Sequence, residues 1–388
     1  MLTRRYFIKG LALSPLASSA YAKSFTQELS PLNLYSAATD NQGQHWLIIT
    51  NSIGEISNKL RLPARAHEVF KHPKLDLLCV VARRPGKYIS LVHAKSGSLI
   101  KTITPSKGHH FYGHGLFTQD GRFLVTSENH IKSGEGRITL RDCSKDFEIT
   151  QQYPSHGIGP HEIKLSFDGK TLIVANGGIK THENDGRSKL NLDTMQPTLT
   201  YLEFSTGNLL EQRFLPEDLH QLSIRHIDIN QNDQVVIAMQ YQGDKTDQVP
   251  LMAMHTPGEE IRFLKAPPST YQAMKHYCGS VRFDQSGKYA ATSSPKGDLV
   301  TFWDISKGEF IDKARCRDAC GIAATSKSGF IISNGMGKLY QYDLKQKQLF
   351  SLATQSGSTF YKSTSSFANT AQKLKMSWDN HLSINLQT

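Results

Sequence analysis

One short phrase returns seven times along the 388-residue chain: a His or Cys, usually beside Gly or Glu, opens an alternating segment that leads through a turn to a second apolar run. The copies are His67-Glu68-Val69-Phe70, His114-Gly115-Leu116-Phe117, His161-Glu162-Ile163-Lys164, His226-Ile227-Asp228-Ile229, Cys278-Gly279-Ser280-Val281, Cys320-Gly321-Ile322-Ala323 and His381-Leu382-Ser383-Ile384. Their spacings of 47, 47, 65, 52, 42 and 61 residues bracket a four-stranded propeller blade with occasional loop insertions. Turn chemistry repeats in step. Asp120-Gly121, Asp168-Gly169 and Ser286-Gly287 mark hairpins after the first strand of a repeat, and Ser96-Gly97, Thr206-Gly207 and Lys307-Gly308 mark the hairpin before the fourth. Runs such as Leu77 to Ala82, Phe123 to Thr126, Leu172 to Ala175 and Gly329 to Ser333 have strand length and β-rich composition.

The final copy decides how the ring closes. Only seven residues follow His381, whereas the region from Leu34 to Leu62 has strand-like runs without the opening phrase. The C-terminal strand therefore becomes the innermost strand of a blade whose other three come from the N-terminus, which removes free sheet edges. The expected fold is all-β: a seven-bladed, WD40/YVTN-like propeller occupying residues 23–388 as a single domain.

Residues 1–22 read as an export signal. Thr3-Arg4-Arg5-Tyr6-Phe7-Ile8-Lys9 matches the twin-arginine consensus, a weakly apolar stretch from Gly10 to Ala17 follows, and Ala20-Tyr21-Ala22 is a small-x-small cleavage site. Nothing beyond it is apolar for long enough to span a bilayer, so the expected location is the periplasm. Removing Arg4, Arg5 and Lys9, with no acid among the first 22 residues, lowers the formal charge from +11 to +8. That surplus is spread thinly, and no basic run with interleaved aromatics argues for nucleic acid. The five cysteines are too few for a disulfide scaffold; one bridge, Cys316 with Cys320 or Cys278 with Cys320, is compatible with an oxidising compartment.

In a propeller the loops entering the innermost strands surround one mouth of the central channel. His67, His114, His161, His226, Cys278, Cys320 and His381 are thus expected to ring that mouth, with His109, His110, His156, Glu68, Glu162, Arg225 and Asp228 in support. His220, His276 and Cys316 lie on the feeding loops, and the segment from Asn176 to Pro197 is long enough to act as a lid. Neutral imidazole and thiolate are the ligands that iron, copper and zinc prefer, so a transition metal held by a subset of the ring is one reading. Hydrogen-bonded packing of the channel entrance is the other. Other strings carry less. His67-Glu68 followed by His72 does not fit the helical zinc-peptidase spacing, no nucleophile elbow or phosphate-binding glycine loop occurs, and a single Trp303-Asp304 is weak support for a WD40 assignment. The Ser/Thr-rich stretch from Ser351 to Lys375 reads as an insertion before the closing strand.

The whole chain after the export signal resembles the bacterial family catalogued as domain of unknown function 1513. The resemblance rests on the twin-arginine start, Gly113-His114-Gly115-Leu116-Phe117, Gly159-Pro160-His161-Glu162-Ile163, Ser223-Ile224-Arg225-His226, Cys278-Gly279-Ser280-Val281 and Trp378-Asp379-Asn380-His381. It implies a periplasmic propeller encoded beside an imelysin-like protein and a dihaem oxidoreductase, in settings associated with iron acquisition, and it implies no catalytic residues. Three functions follow as expectations: a non-catalytic metal- or partner-binding component of iron acquisition, a metal-dependent oxidoreductase or lactonase-like enzyme at the same face, and a purely structural scaffold. Acidic ligands are few at the ring, which disfavours the hydrolase.

Overall fold

A computed structural model of the chain describes residues 33–51, 54–185, 188–325, 329–352 and 376–384. The export signal read at residues 1–22, with Arg4 and Arg5, and nearly all of the Ser/Thr-rich stretch lie outside the described residues. Seven antiparallel sheets follow one another along the chain, six of four strands and one of five. Numbered as blades in chain order, blades 2 to 7 open with the inner strands Ala66–Lys71, His109–Phe117, Pro160–Leu165, Leu222–Ile229, Ser280–Phe283 and Ala319–Ala324. Each phrase read from the sequence thus lies at or just before an inner strand. The fold is the expected seven-bladed propeller, and it closes as expected. Blade 1 is built from Asn33–Thr39, His45–Asn51 and Ile56–Arg61, and its inner edge is supplied by Ser377–Trp378 and Ser383–Ile384, both antiparallel to Asn33–Thr39.

Burial grades outward through each blade, and the sequence shows why. Leu77–Ala82, a second strand, is buried at every position because neighbouring blades cover both its faces, so it is apolar without alternation. The fourth strand Leu209–Phe214, at the perimeter, has no buried residue. Apolar side chains collect between adjacent blades: Cys79, Val81, Phe111 and Leu124 between blades 2 and 3, Val125, Ile138, Ile163 and Val174 between blades 3 and 4. The same packing joins the two chain ends, where Ile48, Ile331, Leu339, Trp378 and Leu382 form one cluster. Gly121, Gly169 and Gly287 take positive φ in the first hairpins and Gly97, Gly207 and Gly308 in the last, the conformation for which glycine pays no Cβ penalty.

Hydrogen bonds also step from blade to blade. On the face of the first hairpins, His72 Nε2 bonds the Gly121 carbonyl at 2.8 Å and Asn230 Nδ2 that of Gly287 at 2.9 Å. On the opposite face, polar residues near the ends of the second strands reach the next blade's phrase: Ser127 Oγ donates to His161 O at 3.0 Å, and Gln240 Nε2 to Cys278 O at 2.8 Å. The bond from Ser293 to Cys320 O is equivalent, whereas Ser36 Oγ donates to His381 O at 2.6 Å within blade 1, tying the two chain ends together.

Closure should dominate stability. Trp378 is 6 % exposed on the closing strand, and Trp378→Ala is expected to destabilise the protein by about 3–5 kcal/mol in urea unfolding. Leu210→Ala, at 57 % exposure on an outer strand, should stay within about 0.5 kcal/mol of the parent. Equal midpoints for the two variants would contradict this account of closure.

Candidate functional site

The inner strands break register at the phrase. In blades 2, 3, 4, 5 and 7 the irregularities fall at Ala66/Glu68, Phe111/Gly115, Pro160/Ile163, Ile224/His226 and Ala319/Ile322. A bulge adds a residue to one strand and re-aims its side chains. His67, His114 and His161 each sit inside such a break, His226 ends one, and His381 lies between the two short closing strands. Gly113 makes room for this arrangement. Its φ of 109° suits glycine, and a Cβ there would come within 2.8 Å of the His67 ring.

Five imidazoles converge on the axis. Ring centroids lie 4.4 Å apart for His114 and His161, 4.6 Å for His114 and His381, 4.7 Å for His67 and His381, 4.8 Å for His67 and His114, and 4.8 Å for His161 and His226. His67, His114, His226 and His381 are buried, while His161 keeps partial exposure toward the channel mouth. Ligand-capable atoms of His67, His114 and His161 fall within 4.8 Å of one another, as do those of His114, His226 and His381.

Each of three imidazoles is held by an acid from the preceding blade. His67 Nδ1 donates to Asp379 Oδ1 at 2.9 Å, His114 Nδ1 to Glu68 Oε2 at 3.0 Å, and His226 Nδ1 to Glu162 Oε2 at 3.2 Å. An ionised carboxylate only accepts, so each of these rings carries a proton on Nδ1. Burial opposes ionisation of these acids, but their neighbours outweigh it: His114 for Glu68, Arg282 and Lys164 for Glu162, and His67 with Arg65 for Asp379 all hold the carboxyl below its usual range. Burial likewise pushes His67 and His226 down to about 4, against the pull of Asp379 and Glu162, and drives His161 and His381 well below the ordinary imidazole value. These four rings are therefore neutral at neutral pH.

Further along the same strands lies a charged floor. Arg282 bonds Glu162 at 2.8 Å and lies 3.7 Å from Glu68; Lys164 reaches Glu162 at 3.0 Å and Asp228 at 3.5 Å. Three carboxylates against two cations leave this floor one negative charge in excess. Several imidazole nitrogens also have no hydrogen-bond partner although buried: His114 Nε2, His161 Nδ1 and both nitrogens of His381.

Above the imidazoles is a cavity of 260 Å³, floored by His67, His161 and His226 and walled by Arg83, Arg84, Tyr112, Arg225 and Tyr277. Described residues of the segment expected to serve as a lid bond blades on either side of it. They bond Arg84 through Thr181 and Lys87 through Glu183 on blade 2, and Gln221 donates to Leu192 O from blade 5.

A family model described as a protein of unknown function, DUF1513, matches residues 60–385. The chain belongs to that family. A sequence search among curated proteins finds no match. Among solved structures, a chain described as Kuenenia stuttgartiensis hydrazine synthase is similar, with a TM-score of 0.55 over 81 % of this chain and 94 % of that one. At 12 % identity the likeness is one of fold.

Two expected ring members of this DUF1513 propeller stand apart from the cluster. Cys278 lies before its strand without a bulge, its Sγ 3.8 Å from Leu251 O in the apolar core between blades, and burial raises its thiol to about 12. Cys320 does sit in a bulge, but its Sγ donates to Asp318 O at 3.1 Å and burial holds it well above the usual thiol value. A small apolar thiol gains more from the interior than from an axial position. All five cysteines are free, so neither expected bridge forms. Among the supporting residues, Glu68, Glu162 and Asp228 belong to the network above and Arg225 walls the cavity. The others are peripheral: His109 pairs with His130 at 5.1 Å, His110 stacks on Tyr112, and His156 offers its carbonyl to Gln212. Asp379, Arg282 and Lys164 join the site beyond the residues that the repeat marks. Their signal is positional: each lies within three residues of a ring position or in the matching strand of the next blade.

The depressed imidazoles give pH dependence a definite sign. Below about pH 6.5 the unfolded chain binds more protons than the folded one, so stability present above that pH should decline as pH falls toward about 4. Urea midpoints at intervals from pH 7.5 to 4.5 should fall steadily, and His161→Gln should flatten the slope. An unchanged midpoint across that window would refute the neutral, buried cluster.

Proposed function

We propose that this propeller is a metal-binding protein of the bacterial envelope, holding one transition-metal ion among His67, His114, His161, His226 and His381, and acting without catalysis in iron or other metal acquisition. The observation that carries the reading is the convergence of imidazole nitrogens that are buried and lack hydrogen-bond partners. Each such atom costs about 1–3 kcal/mol if left so, and a purely structural ring would be expected to pair them. The carboxylates support the same reading. Acids that grip Nδ1 and turn Nε2 inward are the outer-shell arrangement typical of metal-ligating histidines, and the excess negative charge of the floor favours a cation. With both thiols withdrawn, the donor set is imidazole, which suits iron, copper and zinc. The compartment rests on the twin-arginine signal. The link to iron, and to imelysin-like or dihaem oxidoreductase partners, rests on the family resemblance. A second reading is favoured by one feature: a cavity opening directly on three of the imidazoles could admit a substrate for a metal-dependent oxidoreductase.

Metal analysis of the purified chain, followed by titration of the stripped protein with Fe²⁺, Cu²⁺ and Zn²⁺, is expected to give one ion per chain. His114→Ala with His161→Ala should abolish stoichiometric uptake, and Glu162→Gln should weaken affinity by about 10–100-fold. Absence of uptake, or uptake unchanged in the double histidine variant, would overturn the proposal. Turnover of a redox substrate by the loaded protein would favour the enzyme instead.

A further inference from the structure

The cavity over the imidazoles has a charge pattern of its own. Arg83, Arg84 and Arg225 line it, and among the described residues no Asp or Glu does. Arg225 projects from the bulged strand of blade 5, its Nε is buried without a hydrogen-bond partner, and it makes no ion pair among the described residues. Arg84 stacks over Tyr112 at 5.4 Å, and Lys296, a further cation, stands over Tyr277 at 4.5 Å, so each aromatic wall has a positive charge against it. A guanidinium N–H buried without a partner is costly, and the group's planar fork matches the two oxygens of a carboxylate.

We propose that this cavity binds a small carboxylate anion, gripped by Arg225 and Arg84 at one end and facing His67, His161 and His226 at the other. At 260 Å³ the space lies below the range of about 300–1,000 Å³ usual for drug-sized ligands, which sets the scale at a small di- or tricarboxylate. The tyrosine rings form flat sides for such a molecule; His67 and His226, neutral and offering lone pairs, meet its far carboxylate only through a bound ion. The arginine end stands independently of the metal reading; only the contribution of a bound ion at the floor rests on it.

The test is calorimetric titration of the full chain with oxalate, citrate and inorganic phosphate, in metal-stripped protein and after incubation with Zn²⁺. Oxalate or citrate should bind the stripped protein and lose about tenfold or more in affinity in Arg225→Met, with a smaller loss in Arg84→Met, a rim residue that tolerates change more readily. Binding that persists with this arginine dependence while no metal is taken up would uphold this proposal and remove the metal reading alone. Carboxylate dissociation constants weaker than about 1 mM in wild type, undiminished affinity in either folded variant, or tighter binding of phosphate than of both carboxylates would overturn it.

Discussion

The hydrogen bond between an imidazole of one blade and a carboxylate of the blade before it is the contact on which the rest of the site depends. It occurs three times, as Asp379 with His67, Glu68 with His114 and Glu162 with His226, and each instance spans a blade boundary. The same acids also tie down backbone: Glu68 Oε2 accepts from Gly115 N and Glu162 Oε2 from Ile227 N, both at 3.3 Å. Blade packing and imidazole orientation are thereby a single problem. Buried carboxylates would ordinarily be destabilising, and here Arg282, Lys164 and Arg65 keep them ionised, which in turn fixes the tautomer of the rings they hold.

Much of this architecture is legible in the chain because propellers repeat their signals. Glycines at Gly121, Gly169 and Gly287 mark the same hairpin in three blades, and the orphan phrase at His381 demands a partner that only Leu34 to Leu62 can offer. The five histidines are legible for the same reason. What the pattern could not convey is where each side chain points. Cys278 and Cys320 occupy the same step of the repeat as the histidines, yet one lacks a bulge and the other spends its thiol on Asp318, and neither joins the cluster. Equivalence in a repeat fixes a backbone position; polarity and local register then settle the direction of the side chain.

The buried charges were less visible still. Arg141 and Glu128 pair at 2.8 Å in full burial on the second and third strands of blade 3, where Phe111 covers the guanidinium at 5.3 Å. Nothing in a strand of alternating residues distinguishes such a pair from two solvated ends. Arg282 is similar: its role follows from Glu68 and Glu162, which lie more than a hundred residues earlier in the chain and two or more blades away around the axis.

The join between the two ends of the polypeptide contributes Asp379 and His381 directly to the axial cluster. During synthesis, then, six blades and most of a seventh can form while this centre still lacks one imidazole and the acid that orients another. If the axial cluster holds an ion, as proposed, the complete donor set and the completed fold arise together, so that no partly made chain can present all five imidazoles.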